Sequence, residues 1–489
     1  MNYRMILSLL GYVLLLIGGF MLLPCIVALI YGEQELYSLF AAIGVCALIG
    51  LPLILLKPKT RRTMHARDGF VMVSLSWIVI SLVGALPFWF SRAIPSYLDA
   101  LFETISGFTT TGASILTDVE AMPHCLLFWR SFTHWLGGMG VLVFMLAVVP
   151  MSGESIYLLL TESPGPSVSK MVPKMRTSAM ILYAIYIAMT LLQILAYQLG
   201  NWFGWGEISL FDSLCLSFGS AGTGGFSVRA DGLASYSSYV QSVTTVAMIM
   251  FGVNFSIYFF LICRKFRLIW KNSELKCYLG IILAAVALIT LNLMLTGGYF
   301  RTVGKAVHHV SFSVGSVITT TGFGTVDFSL WPEFSKVILV ALMVIGACAG
   351  STGGGIKVSR LLILFKYARA EIRHMLHPHA VEVMTVDGKR VSADVIRGTN
   401  AFLIVYLFIA LFSIALVAMD NFGAETTVTS VLATLNNIGP GVSIEIGPMG
   451  GYAGFSALSK VVLSLDMLFG RLEIFPMLLL FRPSTWRKH

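Results

Sequence analysis

The feature that most constrains this chain is a succession of apolar runs, each long enough to cross a lipid bilayer as a helix. Only 12% of the residues are charged, against about 25% in a soluble domain, so polar groups could not cover a soluble globule. A closed β-barrel would show short alternating segments, which the sequence lacks. The chain is therefore predicted to be an all-α integral membrane protein with ten transmembrane helices, near 5–31, 37–56, 69–91, 124–150, 177–200, 239–263, 277–298, 334–362, 399–420 and 453–481.

The positions of Lys and Arg predict how these helices are oriented. Most of the 33 basic residues lie in one set of connections, which the positive-inside rule assigns to the cytoplasm together with both termini. No small-residue cleavage pattern follows the first apolar run, so that helix is expected to be retained. The net charge of +9 reflects this asymmetry, and its dispersal over many loops argues against a nucleic-acid partner.

Four of the outer connections end in a glycine-bearing motif, preceded by an amphipathic stretch that is long enough for a short helix. In the second motif Gly224 competes with Gly225, and Gly225 is preferred because it aligns Phe226 with Phe323 of the third motif. The motifs read "SGFTTTGAS", "GSAGTGGFS", "SVITTTGFGT" and "LNNIGPGVS", with equivalent glycines at Gly112, Gly225, Gly322 and Gly439.

This periodicity predicts four covalently linked repeats of span, pore helix, glycine loop and span around one pore. The predicted boundaries are an N-terminal helix pair at 1–68, pore repeats at 69–150, 151–270, 271–370 and 397–489, and a cytoplasmic hairpin linker at 371–396. Non-helical backbone at membrane depth is tolerated where protein buries it or where it lines a water-filled cavity. Four loops on one axis would form rings of carbonyl oxygens that replace the hydration shell of a cation. Each motif alone could be a turn with a packing glycine, but four in register favour the pore.

The eighth apolar run contains "GACAGSTGGGIK", which is too rich in glycine for a stable helix interior. A P-loop is excluded, because Ile356 separates the last glycine from the lysine. We predict a flexible loop at 346–357 that crosses the pore beneath the glycine motifs, and a kinked, closely packed helix is the alternative. The residues of interest in this loop are Gly346, Gly350, Gly353, Gly354, Gly355 and Lys357.

The last apolar run carries three charges, Asp466, Arg471 and Glu473. Charges within a membrane are costly and usually functional. Arg471 is predicted to face the pore and to act with the loop at 346–357, where its charge would repel a cation. Pairing with Asp466 or Glu473 is the alternative. Arg130, near the outer end of the fourth span, is interpreted as a structural tie between repeats.

Six motifs together resemble one known family. They are "TTTGAS" at 109–114, "TGGFS" at 223–227, "TTTGFGT" at 319–325, "NNIGPG" at 436–441, "FWRSFTHWLGGMG" at 128–140 and "GSTGGGIK" at 350–357. They are similar to those of the Trk/Ktr/HKT superfamily of cation transporters, and more narrowly of bacterial TrkH-type potassium uptake proteins. The resemblance covers nearly the whole chain. It implies that the glycine-rich loop is the gate and that K⁺ is the permeant ion, held in a filter of Thr110, Thr111, Gly112, Thr223, Gly224, Gly225, Thr320, Thr321, Gly322, Asn437, Ile438 and Gly439.

The filter differs from the "TVGYG" sequence of tetrameric potassium channels. The residue after the glycine is Ala113, Phe226, Phe323 or Pro440, so no tyrosine forms a uniform hydrogen-bonded collar. The fourth loop also has Asn437 and Ile438 where the first and third have threonine. We therefore expect potassium, with rubidium, to be favoured over sodium only moderately.

Channel-like flux through a gated pore is the function that this pattern favours. A symporter coupled to Na⁺ or H⁺ is the alternative, but such transporters usually combine inverted repeats with ionisable groups at the midplane. These repeats are parallel and their loops carry few ionisable groups. An enzyme is not expected, because no nucleophile, metal-ligand or paired-carboxylate set has useful spacing. The seven cysteines form no pairing framework.

A cytoplasmic hairpin is predicted around Asp387-Gly388, within "AVEVMTVDGKRVSADV". It suits the docking of a cytosolic partner. The family resemblance implies a TrkA-type regulatory ring that binds NAD and ATP or ADP, and no nucleotide motif occurs in this chain. It also implies a homodimer in the bacterial inner membrane, each protomer with its own pore.

Overall fold

The computed structural model describes residues 3–56, 66–140, 175–377 and 384–486, and nearly all of its regular structure is α-helical. Within these ranges six helices are long and apolar enough to cross a membrane, or seven if one sharply bent pair counts as a single span. The all-helical membrane class agrees with the sequence. The count of ten spans stays a prediction, because the predicted span 124–150 and the start of the second repeat extend outside the described residues.

The helices of the N-terminal part are α1 (Tyr3–Phe20), α2 (Leu22–Tyr31), α3 (Leu36–Leu55), α4 (Ala66–Gly84), α5 (Leu86–Phe90), α6 (Tyr97–Phe108) and α7 (His124–Gly138). The middle part contains α8 (Met175–Trp202), α9 (Leu210–Gly222), α10 (Ser238–Phe251), α11 (Phe255–Ile262), α12 (Phe266–Trp270), α13 (Ser273–Thr296), α14 (Val303–Ile318), α15 (Glu333–Ile345) and α16 (Val358–Leu376). The C-terminal part contains α17 (Ala393–Val417), α18 (Ala424–Leu435), α19 (Ala457–Arg471), α20 (Phe475–Phe481) and α21 (Pro483–Trp486).

The N-terminal pair is tied to the rest of the molecule by Glu33, in the turn between α2 and α3. Its carboxylate accepts hydrogen bonds from the backbone N–H groups of His124, at 2.6 Å, and Cys125, at 2.9 Å, at the start of α7. Partial burial raises the pKa of Glu33, but these hydrogen bonds outweigh it and hold the pKa below its ordinary value. The carboxylate thus provides acceptors for two free N–H groups at the start of α7, and its negative charge interacts favourably with the positive end of the helix dipole.

Four short helices, α6, α9, α14 and α18, each lead into one of the glycine motifs. Three of them begin at a hydroxyl residue that caps the helix: Ser96, Ser209 and Thr302 each accept a hydrogen bond from the N–H group three residues later. A capping hydroxyl thus marks the start of three of these helices, and α18 begins after Gly423 without a side-chain cap.

Polar links join three of these short helices to long helices of the neighbouring predicted repeat. Each of the three is linked to a long helix of the predicted repeat that precedes it, and the short helix of the first is linked to the fourth. The links join Lys336 of α15 to Glu425 of α18 at 2.8 Å, Lys460 of α19 to Asp99 of α6 at 2.7 Å, and Gln241 of α10 to His308 of α14 at 2.8 Å. The first and fourth repeats are therefore neighbours in space.

Among the described residues, three of the predicted spans are interrupted by three or more non-helical residues, whereas Tyr3–Tyr31 and Arg67–Phe90 each remain one span across a single-residue break. The break in the eighth span was predicted, and α15 indeed ends at Ile345 while α16 begins at Val358. Two breaks were not predicted: α10 and α11 meet at 92°, and α19 and α20 are separated by Leu472–Ile474, where Glu473 and Ile474 have positive φ. The bend after α10 has a tertiary cause, because the N–H of Phe255 donates to Gly350 and the N–H of Cys348 donates to Gly252. The Phe255 N–H and the Gly252 carbonyl would bond within a continuous helix, and here they bond to the inserted loop instead.

The short hairpin lies where the sequence predicted a turn. Strand β1 (Thr385–Val386) pairs antiparallel with β2 (Lys389–Arg390), and Asp387 and Gly388 have φ of 52° and 76°. The Asp387 carboxylate accepts a hydrogen bond of 2.8 Å from the N–H of Ser273 at the start of α13. The hairpin is therefore held against the third repeat, and its role in partner docking stays a prediction.

Candidate functional site

The four glycine loops have the same backbone conformation. In each loop a residue just after the short helix has left-handed backbone angles, and the glycine two positions later has a positive φ of 79° to 88°. The left-handed residues are Thr110, Thr223, Thr320 and Asn437, with φ of 54° to 59°. Gly225 and not Gly224 has the positive φ, so the preferred alignment of the second motif matches the backbone. The four loops thus follow one backbone path although their sequences differ.

One hydrogen bond recurs in all four loops and closes the turn. The N–H of the residue before each glycine donates to the carbonyl five positions earlier, in the short helix. The four bonds are Thr111 to Ser106 at 2.9 Å, Gly224 to Gly219 at 2.8 Å, Thr321 to Ser316 at 2.8 Å and Ile438 to Ala433 at 2.9 Å. This bond satisfies an end carbonyl of the helix while the chain turns away from its axis.

The four loops contact each other in a closed ring. A Cβ placed on each glycine would lie 2.0 to 2.7 Å from a carbonyl oxygen of the next loop, which leaves no space for a side chain. The contacts run from Gly112 to Gly224, from Gly225 to Thr321, from Gly322 to Ile438 and from Gly439 to Thr111. The first and third loops are therefore opposite each other. A cavity of about 370 Å³ adjoins the ring and is lined by all four glycines.

The first and second loops are held by a buried ion pair between Glu103 of α6 and Arg130 of α7, 2.6 Å apart. The Glu103 carboxylate also accepts hydrogen bonds from the Ser114 hydroxyl and the Ile115 N–H, each 2.9 Å long, just beyond the first glycine. Arg130 donates to the carbonyl of Ser227, at 2.9 Å, beyond the second glycine. Arg130 thus ties two repeats together, as the sequence suggested, whereas the role of Glu103 was missed.

His134 of α7 makes a second link between the first two repeats. The Phe226 N–H donates to its Nε2 at 3.2 Å, so Nδ1 carries the proton and donates to the Gly107 carbonyl at 2.7 Å. His134 is fully buried, with its ring 4.1 Å from that of Phe226. The neutral imidazole is therefore a positioning group for the second loop. The motif "FWRSFTHWLGGMG" contains His134, but the sequence alone gave it no role.

The third and fourth loops are supported by hydroxyl groups. The Ser316 hydroxyl donates to the Phe323 carbonyl at 2.7 Å, and the Tyr452 hydroxyl donates to the Gly439 carbonyl at 2.7 Å. No tyrosine collar of the same kind surrounds the four loops. Each loop is instead held by a different side chain: Glu103, His134, Ser316 or Tyr452.

The predicted gating segment 346–357 is a non-helical loop packed against the helix end of the ring. The N–H of Gly354 donates to the Thr320 hydroxyl at 2.6 Å, and the N–H of Gly355 donates to the Asn436 carbonyl at 3.1 Å. Gly346, Gly350 and Gly355 have positive φ, and a Cβ on Gly353 would lie 2.8 Å from the Thr319 carbonyl. The Lys357 ammonium is buried and donates to the Gly353 carbonyl. The loop thus contacts the third and fourth loops directly.

Arg471 lies between this loop and the first glycine loop. Its guanidinium donates to the Thr352 carbonyl at 2.8 Å, the Thr110 hydroxyl at 3.1 Å and the Gly138 carbonyl at 2.7 Å. The two nearby acids have other partners: Asp466 accepts from the Ser413 hydroxyl at 2.7 Å, and Glu473 pairs with Arg360. A single cation thus contacts both the ring and the segment packed against it.

Comparisons with known proteins agree in assigning one family. A family model described as "TrkH: Cation transport protein" matches residues 37–488. The chain is 34% identical to the Trk system potassium uptake protein TrkH of Salmonella typhimurium and 33% identical to that of Escherichia coli (strain K12), with 100% of each protein covered. The crystal structure of the potassium transporter TrkH from Vibrio parahaemolyticus matches with a TM-score of 0.88 and 30% identity, over 100% of both chains.

The Glu103–Arg130 pair gives a test of how the ring is held. Glu103→Leu or Arg130→Met should each lower the free energy of unfolding by about 3 kcal/mol, because either leaves a buried polar partner uncompensated. The double variant Glu103→Leu with Arg130→Met should recover part of this loss. Thermal denaturation in detergent micelles measures the effect. Single variants as stable as the parent, or strictly additive losses in the double variant, would contradict the assigned coupling.

Proposed function

Because the chain belongs to the TrkH family of cation transport proteins, we propose that it takes up potassium ions across a bacterial inner membrane through one pore, formed by the four glycine loops. The observation that carries this proposal is the closed ring of four loops with one shared backbone conformation. Entry of a cation is favoured by the membrane potential, at about 2.3 kcal/mol per charge per 100 mV. Neither a catalytic residue nor an enzyme activity is needed.

In this proposal the ions are coordinated by backbone carbonyls, with threonine hydroxyls at the inner end. Adjacent loops are packed too closely for a side chain to lie between them, and a cation that enters a ring of carbonyl oxygens exchanges its water for protein oxygens. Each short helix ends at the ring, so four partially negative helix ends surround the path. The coordinating residues are Thr110, Thr111, Gly112, Thr223, Gly224, Gly225, Thr320, Thr321, Gly322, Asn437, Ile438 and Gly439.

The segment 346–357 is proposed as the gate. It packs against the ring through hydrogen bonds to Thr320 and Asn436, and its glycines have no Cβ to restrict a change of backbone conformation. Arg471 is proposed to hold it closed through the Thr352 carbonyl and to place a positive charge beside the path. Opening would require this hydrogen bond to break and the loop to move from under the ring.

The assembly around the pore is also part of the proposal. Ten spans, arranged as four repeats and an N-terminal pair, would place both termini in the cytoplasm. Two protomers would each carry a complete pore, because the ring closes within one chain. A cytosolic TrkA-type ring that binds NAD and ATP or ADP is the proposed regulatory partner, and the hairpin held against α13 is one surface that it could reach.

The direct test is uptake of K⁺ and Rb⁺ into liposomes that contain the purified protein. Gly322→Ala should abolish uptake, because its Cβ would lie 2.1 Å from the Ile438 carbonyl at a φ of 87°. The matched control is Gly280→Ala in α13, where a Cβ would meet nothing within 4 Å. Equal uptake by the two variants would count against a pore through the ring.

The unequal loops predict moderate selectivity for potassium over sodium. Bi-ionic reversal potentials of the reconstituted protein measure this directly. We expect sodium to permeate measurably but less than potassium, because carbonyl rings of unequal support discriminate less sharply. Equal permeability, or exclusion of sodium as strict as in a potassium channel, would contradict this expectation. A reversal potential that follows a Na⁺ or H⁺ gradient would instead support coupled symport.

Arg471→Ala is expected to raise potassium flux without removing selectivity, because it removes a charge and a hydrogen bond to the gate. The expected increase is about tenfold, which corresponds to about 1.4 kcal/mol in the barrier. The control is Arg397→Ala, since Arg397 forms an exposed ion pair with Asp394. Unchanged or reduced flux with Arg471→Ala would exclude the gating role.

A further inference from the structure

The Tyr452 hydroxyl is bonded to one of the four ring glycines. It donates to the Gly439 carbonyl at 2.7 Å, and the tyrosine is only 2% exposed. Its position is fixed from two sides. The Tyr452 N–H donates to the Ser114 carbonyl at 2.8 Å, and its ring packs against those of Phe102 and Phe455, at 5.7 Å and 5.4 Å between centroids. The hydroxyl is therefore held beside this carbonyl by both the first and fourth repeats.

The other three ring glycines have a different environment. Among the described residues, no group donates a hydrogen bond to the carbonyls of Gly112, Gly225 or Gly322. These three glycines are partly exposed towards the shared cavity, whereas Gly439 is buried. Two independent features, a bonded carbonyl and lower exposure, thus distinguish the fourth glycine from its three counterparts.

This difference matters for ion coordination. A carbonyl oxygen that accepts a short hydrogen bond attracts a cation less strongly, because the donor already interacts with part of its negative charge. In one account of K⁺/Na⁺ discrimination, selectivity depends on the number and field strength of the carbonyl dipoles around the ion. A ring with three free carbonyls and one bonded carbonyl should therefore hold potassium less selectively than four equivalent ones.

We infer that Tyr452 is a specificity-determining residue, whose hydroxyl competes with the permeant ion for the Gly439 carbonyl and so lowers the preference for potassium at the glycine layer. This inference rests on the proposed pore. It assigns part of the moderate selectivity to a residue of the outer connection rather than to the motif "NNIGPG" itself. A support that merely stiffened the fourth loop would have the opposite effect on selectivity when removed.

Tyr452→Phe separates these possibilities, because it removes the hydroxyl and keeps the packed ring. The K⁺/Na⁺ permeability ratio, from bi-ionic potentials of the reconstituted full chain, should rise by up to about fivefold, the effect expected for one net hydrogen bond. Tyr239→Phe is the matched control, because the Tyr239 hydroxyl donates to the Ala196 carbonyl at 2.8 Å, away from the ring. Its ratio should equal that of the parent.

A second variant changes the hydrogen bond in the opposite direction. Incorporation of 3-fluorotyrosine at position 452 makes the phenol a stronger donor, so the permeability ratio should fall below that of the parent. A ratio that is unchanged or lower with Tyr452→Phe, or unchanged or higher with fluorotyrosine, would overturn the inference. If the parent protein itself carried no potassium, the proposed function would fail instead, so the two failures are distinguishable.

Discussion

The rest of this structure depends on one backbone hydrogen bond, from the residue before each ring glycine to the carbonyl five positions earlier. An unsatisfied peptide group at membrane depth costs several kcal/mol, so a chain can leave a helix there only if its polar groups find partners. This bond supplies one, and the left-handed residue before it turns the chain. The glycine that follows has no side chain, which allows the next loop to approach. Four copies of this local solution are sufficient to close a ring within one chain.

The same backbone is stabilised in four different ways. A buried ion pair supports the first loop, a neutral imidazole the second, and the hydroxyls of Ser316 and Tyr452 the third and fourth. The turn geometry is shared because it follows from backbone bonds, whereas the surroundings have diverged among the repeats. The pore proposed here is therefore fourfold in its backbone but unequal in the stiffness and charge of its carbonyls. Arg471 adds to this inequality, because its guanidinium donates a hydrogen bond to the Thr110 hydroxyl of the first loop.

Much of this architecture could be predicted from the sequence, because membrane helices and their breaks follow from local composition. The apolar runs, the four glycines and the glycine-rich break in the eighth span are local features. The breaks beside Gly252 and Glu473 are not, since they arise where a distant loop inserts or where a non-glycine residue takes a positive φ. The supports Glu103, His134 and Tyr452 were also missed. Their side chains act on residues of other segments, and only the folded chain brings these together.

The central claim is that the ring of four loops holds a dehydrated cation. Crystals grown in rubidium salts would test it most directly, because the anomalous signal of Rb⁺ locates the ion without ambiguity from water. We expect anomalous density on the ring axis, between Gly112 and Gly322 and between Gly225 and Gly439. Density confined to the adjoining cavity, or none within the ring in protein that transports rubidium, would contradict it.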